Sequence, residues 1–528
     1  MTRTLILTLL CLAVASPAAA QGLAGKIDKD LAGQGTTTLY VMTDKPIYHP
    51  GESMWFKAWE VSVRHPDRPS SDRSMNFSLV SPRGSLVLES RSPVQAGSAS
   101  SVFDLDAALP GGQYTLKITT DLGSVHERQV LISSYEPPRV KKTLKMLRDA
   151  YGPGDEVTAQ VTLHRATGGA LTNHLFHGIV TIDGVETARV EGRTDTAGLG
   201  QLQFALPDSM ARGEGTLTVI VEEGGLLESI QRRIPISLGR VQIQMFPEGG
   251  QLVMNAPGRV YFQARDLTGA TADIAGALVD DTGATLARFK TGHRGMGVVS
   301  LTPARHRRYS LRVDTPRGTE GTFDLPAAQL QGCSMTAVDP VSSAADWPAP
   351  NVQIRVHCTD DRWVTATAVL RERLVASTAG RAGVGGAVFA LDVPDTQGAV
   401  RVTLFDDQHR PLAERLVYRG LGRNARIEFT GDREEYSPGE DVTLTVRAVD
   451  AHGTPVQGEF GVAVVDDTVL SFADDRTAHL LARLYLEGEM PGQTIVDPNF
   501  YFSGDAAAPA ALDLLLGTQG WRRFKWSW

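Results

Sequence analysis

The sequence predicts an all-β protein, a tandem array of about five immunoglobulin-like β-sandwiches with a short helical insertion in the last. Three observations carry this. A Pro-Gly turn, preceded by tyrosine and followed by an acid in its fullest copies, recurs along the chain. Strict apolar–polar alternation follows each copy, the period of a strand with one buried face. Glycine accounts for 53 of 528 residues, above the ~7% average, and that turn bias suits sheets better than helices.

Residues 1–20 read as a secretion signal. Arg3 supplies the positive start, Leu5 to Val14 the apolar run, Pro17 the break, and Ala18-Ala19-Ala20 the small-residue cleavage pattern. Cys11 lies inside this segment and leaves with it. The expectation is an exported protein in a compartment where disulfides persist.

Pro50, Pro153, Pro257, Pro350 and Pro438 mark five units of about 95 residues. Pro fixes φ and Gly accepts positive φ, so each pair turns the chain. Unit one, residues 36–135, turns at Tyr48-His49-Pro50-Gly51-Glu52. Met54, Phe56 and Ala58 then point inward, and Trp55, Lys57 and Trp59 outward. Unit two, residues 136–237, turns at Tyr151-Gly152-Pro153-Gly154-Asp155, with Val157, Ala159, Val161 and Leu163 inward. Unit three, residues 238–328, keeps only Pro257-Gly258, followed by Val260, Phe262 and Ala264. Unit four, residues 329–420, has the weakest turn, Pro350-Asn351, followed by Val352, Ile354, Val356 and Cys358. Unit five, residues 421–528, returns to the full turn at Tyr436-Ser437-Pro438-Gly439-Glu440, with Val442, Leu444, Val446 and Ala448 inward. Short strands with regular turns in units of this size are the pattern of a sandwich array. Within unit five, Leu480, Leu481, Leu484 and Tyr485 form a helical stripe, and Ala510 to Leu516 a second helix. Residues 489–509 between them read as a loop.

Cys333 and Cys358 are the cysteines outside the signal. Each is in phase with an inward-facing apolar set, so in an exported chain they are expected to pair. In the chain-entropy view, closing that loop contributes about 3 kcal/mol.

Net charge is −8 with no basic block, which argues against nucleic-acid binding. No apolar run of ~20 residues follows the signal, so no membrane-spanning helix is expected. The hydrolase Gly-x-Ser-x-Gly elbow is missing. His126-Glu127 begins a zinc motif without its second histidine. Gly383-Val384-Gly385-Gly386 lacks the dinucleotide pattern. His174 and His177 fall short of the three or four ligands a metal site needs. The acidic pairs at Asp280, Asp360, Asp406, Asp466 and Asp474 read as solvated turns. No catalytic residue, metal or cofactor is therefore assigned. Candidate partner contacts are Trp55 and Trp59 on the outer sheet face, and Trp521, Arg522 and Arg523 in the aromatic tail.

Thr43-Asp44-Lys45-Pro46-Ile47-Tyr48-His49-Pro50-Gly51-Glu52 closely resembles the signature of the second macroglobulin (MG2) domain of alpha-2-macroglobulins and complement proteins. Phe246-Pro247-Glu248-Gly249-Gly250-Gln251-Leu252, Thr291 to Gly297, and Val464-Val465-Asp466-Asp467 resemble bacterial members. Thr518-Gln519-Gly520-Trp521-Arg522-Arg523-Phe524 is similar to a segment of envelope proteins in which such domains precede a TonB-receptor-like plug. The Cys-Gly-Glu-Gln thioester segment of the trapping members has no counterpart in this sequence: Ser334 follows Cys333, and Thr359 follows Cys358. The resemblance implies a non-enzymatic protein binder or scaffold in the periplasm or cell envelope of a Gram-negative bacterium. It implies a protease as one partner class, held sterically, with residues 489–509 as the protease-sensitive loop. The alternative it implies is an accessory to an outer-membrane TonB-dependent transport or surface-assembly system.

Overall fold

The computed structural model describes residues 17–31, 37–65, 73–134, 139–166, 168–239, 241–319, 321–343, 351–394, 397–437, 439–465, 480–490 and 495–519. Unit one has strands β1 (Thr37–Thr43), β2 (Ile47–Tyr48), β3 (Ser53–Ser62), β4 (Ser74–Val80), β5 (Leu86–Pro93), β6 (Ser98–Asp104), β7 (Gly112–Thr120) and β8 (Val125–Ile132). They form two sheets, β1-β3-β6 and β2-β8-β7-β4-β5. Unit two has β9 (Val140–Met146), β10 (Glu156–Arg165), β11 (Leu175–Ile182), β12 (Val185–Arg193), β13 (Leu199–Ala205), β14 (Gly215–Glu223) and β15 (Leu226–Ile234). Its sheets are β13-β10-β9 and β12-β11-β14-β15.

Unit three has β16 (Val241–Pro247), β17 (Gly258–Asp266), β18 (Ala275–Asp280), β19 (Thr285–Lys290), β20 (Met296–Leu301), β21 (Tyr309–Thr315) and β22 (Thr322–Asp324). They form β16-β17-β20 and β19-β18-β21-β22. Unit four has β23 (Cys333–Ala337), β24 (Val341–Ser343), β25 (Val352–Cys358), β26 (Arg362–Leu370), β27 (Arg373–Ala382), β28 (Ala387–Leu391), β29 (Gly398–Asp406) and β30 (Pro411–Leu421), in sheets β23-β25-β28 and β24-β30-β29-β26-β27. In all four units the strand after the turn is the middle of the three-stranded sheet, which is why its inward side chains are buried. Val157, Ala159, Val161 and Leu163 are all 0% exposed.

The turn motif is a hydrogen-bonded device. Gly51 holds φ +90°, a region that only glycine occupies without strain. Tyr48 Oη donates to Asp44 Oδ1 at 2.6 Å, and the same oxygen accepts from the Trp55 N–H at 3.0 Å. Glu52 accepts from Lys45 Nζ and the His49 N–H, each at 2.7 Å. Burial works against the charge on Glu52, but these donors outweigh it and hold the carboxyl below its ordinary range. Cys333 and Cys358 lie directly opposite on β23 and β25, form a disulfide, and are buried as their phase requires.

Unit five differs from the expectation. Strands β31 (Arg426–Gly431) and β32 (Leu444–Val449) form a two-stranded sheet, and Val442 precedes the strand. The predicted inward residues Leu444 and Val446 are 48% and 43% exposed. The reason is that, among the described residues, no second sheet lies against them. The turn itself is built as in unit one: Tyr436 Oη donates to Asp432 Oδ1 at 2.6 Å, and Glu440 accepts from the Ser437 N–H at 2.8 Å.

Helix α1 (Pro17–Leu31) runs across the predicted signal boundary, and its Leu23, Ile27 and Leu31 pack on Val369 and Phe405 of unit four. Both predicted helices of the last unit are present, as α2 (Leu480–Tyr485) and α3 (Ala508–Thr518). They pack away from unit five. Leu512, Leu515, Leu486 and Tyr501 share a core with Tyr261 and Met296 of unit three and Leu416 and Tyr418 of unit four. Within the stretch expected as a loop, residues 500–502 are docked too: Phe500 stacks on His293 at 4.4 Å, and Tyr501 and Phe502 are buried. Aromatic surface in an apolar groove outweighs the absence of periodicity. Arg294 reaches Asp497 at 3.2 Å from the same motif.

A buried ionic knot fixes this docking. Arg415 on β30 donates to Glu248 at 3.0 Å and to Tyr261 Oη at 3.0 Å, and it is ion-paired with Asp513 on α3. Arg259 holds Glu248 in a bidentate pair at 2.5 and 2.7 Å. The Phe246 to Leu252 motif thus supplies the carboxylate that ties unit three to unit four. On the other side, Arg483 of α2 donates to the Leu39 carbonyl of unit one at 3.2 Å.

Candidate interaction surface

Alternation along β3 sends Trp55, Lys57 and Trp59 to the outer face of the β1-β3-β6 sheet. Trp55 is 60% exposed, unusual for the largest side chain. Trp59 is half-covered. Its ring lies 6.0 Å from Tyr40, and residues 459–462 pass across it. Gly461 makes this passage feasible: a Cβ there would stand 2.8 Å from Met42 Sδ and 3.0 Å from Trp59 Cη2.

Polar contacts hold that segment. Lys57 Nζ is ion-paired with Glu459, and Ser98 Oγ donates to Glu459 Oε2 at 2.9 Å. Lys57 also sits 5.6 Å over the Trp59 ring, a cation–π placement. Lys57 first, and Ser98 second, hold the Glu459 carboxyl below its ordinary range. A groove of about 430 Å³ remains, lined by Met42, Trp55, Lys57, Val102, Phe460 and Val462. Its wall combines apolar surface with Lys57, already paired with Glu459, and with Asp44 at one edge, so a segment that replaces 459–462 there would bring a carboxylate for Lys57.

The structure places Trp55 and Trp59 together on this face. Trp521, Arg522 and Arg523 lie outside the described residues. Sequence reasoning missed Met42, Ser98 and Val102, as well as the strand-like segment from unit five. The signal for the last was the alternation of Phe460, Val462 and Val464, which reads as a strand, whereas residues 456–465 pair in no sheet here.

The other motifs resolve into local structure. Among the described residues, no group of three His, Cys, Asp or Glu side chains is placed to hold a metal. His174 Nε2 lies 2.9 Å from the Glu222 carbonyl, whereas His177 faces Glu191 at 3.4 Å, so the two do not converge. Asp280 accepts from the Thr282 and Ala284 N–H groups at 2.9 and 3.0 Å, capping a hairpin. Asp406 does the same for Gln408 and Arg410 at 2.9 and 2.8 Å. His126 on β8 is pushed down to about 4, by burial first and then by Arg483 and Arg128. No helix among the described residues is long and apolar enough to cross a membrane.

Residues 38–132 match the MG2 domain family. An alpha-2-macroglobulin of Ralstonia nicotianae is 21% identical over 478 residues, covering 82% of this chain and 30% of its own length. Trypsin-activated alpha-2-macroglobulin from Escherichia coli aligns over 79% of this chain and 33% of its own, with 12% identity and a TM-score of 0.42. The methylamine-reacted Salmonella protein aligns over 85% and 34%, with 13% identity and a TM-score of 0.37. The chain spans about a third of the length of these relatives. The first unit thus matches an MG2 domain, and the chain is similar to an alpha-2-macroglobulin over 82% of its length.

Proposed function

We propose that this chain is a non-enzymatic, exported protein-binding module of the cell envelope, acting by surface complementarity. The observation that carries the reading is Trp55, 60% exposed beside Lys57 on the outer sheet face of the MG2 domain. Exposed tryptophan next to a cation is the composition of an interface anchor, because truncating it removes both apolar area and a directional contact. A protease is the partner class that the relatives suggest. Retention of a protease through this surface is steric and reversible. Within residues 489–509, Tyr501 and Phe502 are buried, whereas residues 503–507 are exposed and are the accessible part of the bait.

The test is capture from an envelope fraction with the intact chain, with Trp55→Ala, and with Leu122→Ala as an exposed apolar control. Active-site-blocked trypsin added as a probe reports on the protease class. The expected result is a partner lost with Trp55→Ala and kept with the control. Equal capture by all three chains refutes the assignment of this surface.

A further inference from the structure

The geometry points to a surface already occupied by the chain's own displaced strand. Residues 459–465 belong to the open sandwich of unit five, and on unit one they fill the place of an extended acidic–apolar partner. This deepens the reading above and rests on it.

Internal repetition shows where the segment belongs. In unit three, β17 ends in a turn where Arg265 bridges Thr271 and the Ala272 N–H donates to the Ala264 carbonyl. The chain then crosses as β18, the first strand of the second sheet. In unit two, His164 bridges Ala170, the Leu171 N–H donates to the Leu163 carbonyl, and β11 follows. Unit five repeats the step: Val449 bridges Pro455, and the Val456 N–H donates to the Ala448 carbonyl. Residues 459–465 are therefore the counterpart of β18 and β11. Aligned on the unit three turn, Val462 corresponds to Leu278 and Val446 to Phe262, which share one core there.

Two uncovered apolar faces are the result. Ile427, Phe429, Leu444 and Val446 are 46%, 61%, 48% and 43% exposed on one side of the β31-β32 sheet. Phe460, Val462 and Val464 are 39%, 66% and 86% exposed on the segment. Their union removes both from water, which favours closure by the ordinary hydrophobic term. The docked state is held by Glu459 with Lys57 and Ser98 and by the fit of Gly461 against Trp59. The two states exclude each other, because one strand cannot lie in both places. Closing unit five uncovers the Lys57–Trp59 face for an external segment of the same chemistry: extended, apolar at alternate positions, with one carboxylate for Lys57. Partner binding and closure of unit five are thereby coupled.

The test uses the full chain with two cysteine pairs. Ser98→Cys with Glu459→Cys traps the docked state, and Val446→Cys with Val462→Cys traps the closed one. Both are expected to cross-link on mild oxidation. Lys57→Glu raises the closed-pair yield at least threefold, and adding Glu459→Lys returns it. A synthetic peptide with the sequence of residues 457–465 is then added, with tryptophan fluorescence as the readout. It is expected to bind the closed-locked chain and not the docked-locked chain. Failure of the closed pair to cross-link, in a chain whose docked pair does, overturns the displaced-strand assignment. Closed locking without peptide binding overturns the surface's ligand chemistry. Neither result depends on whether an envelope partner requires Trp55.

Discussion

Arg415→Ala is the sharpest test of what holds the helical segment to the array. The side chains of Arg415 and Glu248 are 3% and 0% exposed, and that of Asp513 is 19% exposed. Removing one partner of a buried pair costs ~3–5 kcal/mol, because the orphaned charge stays buried. Here Glu248 keeps Arg259 and the Ala337 N–H at 3.1 Å, so Asp513 carries most of the loss, and it is partly solvated. The expected cost is the low end, about 3 kcal/mol. Asp513→Asn keeps the Arg415–Glu248 contact and is expected to cost about 1–2 kcal/mol, the scale of a charged hydrogen bond. Glu248→Gln leaves Arg259 and Arg415 facing each other with Asp513, on the Arg415 side, as their remaining carboxylate, and is the worst of the three. Hydrogen exchange of α3 and β30 reads the result locally, since about 3 kcal/mol is roughly a 150-fold rise in opening. Exchange unchanged within threefold for Arg415→Ala refutes the knot as a latch, and so does Asp513→Asn being worse than Glu248→Gln.

Two further outcomes follow from the same description. His126 titrates about 4 when folded against ~6.5 when free, so the unfolded chain binds the proton first. Stability is full above pH 6.5 and falls as pH drops toward 4, by on the order of 2 kcal/mol after allowing for partial exposure; His126→Gln flattens that slope in denaturation midpoints measured between pH 4 and 7. Replacing Cys333 and Cys358 together with alanine costs about 3 kcal/mol by loop entropy, read as a lower urea midpoint for unit four with the other units unchanged.

Much of this architecture was legible because it is local. A Pro-Gly turn followed by alternation needs only the neighbouring ten residues to declare a strand, and the phase of Cys333 and Cys358 was enough to pair them. The Trp55 and Trp59 face came from the same alternation. What escaped is what depends on distance. The stripe at Leu480 and Leu484 states that a helix buries one side, but not that units three and four receive it. Glu248 sits in a recognisable motif, yet its partner Arg415 lies 167 residues on. A strand pattern at Phe460 to Val464 could not reveal that Glu459 and Gly461 would lie on unit one.

The docking of α1 sets an order of events during synthesis. Leu23, Ile27 and Leu31 find their cover in Val369 and Phe405, about 340 and 380 residues later in the chain. At ~5–20 residues per second, that apolar helix face waits roughly 20–80 seconds for its receptor strand to be made. For that interval it is a sticky end on a growing polypeptide, exposed beside units that have already folded. A holding chaperone at this stage would need to recognise only one helical stripe, and its release would be timed by the emergence of unit four.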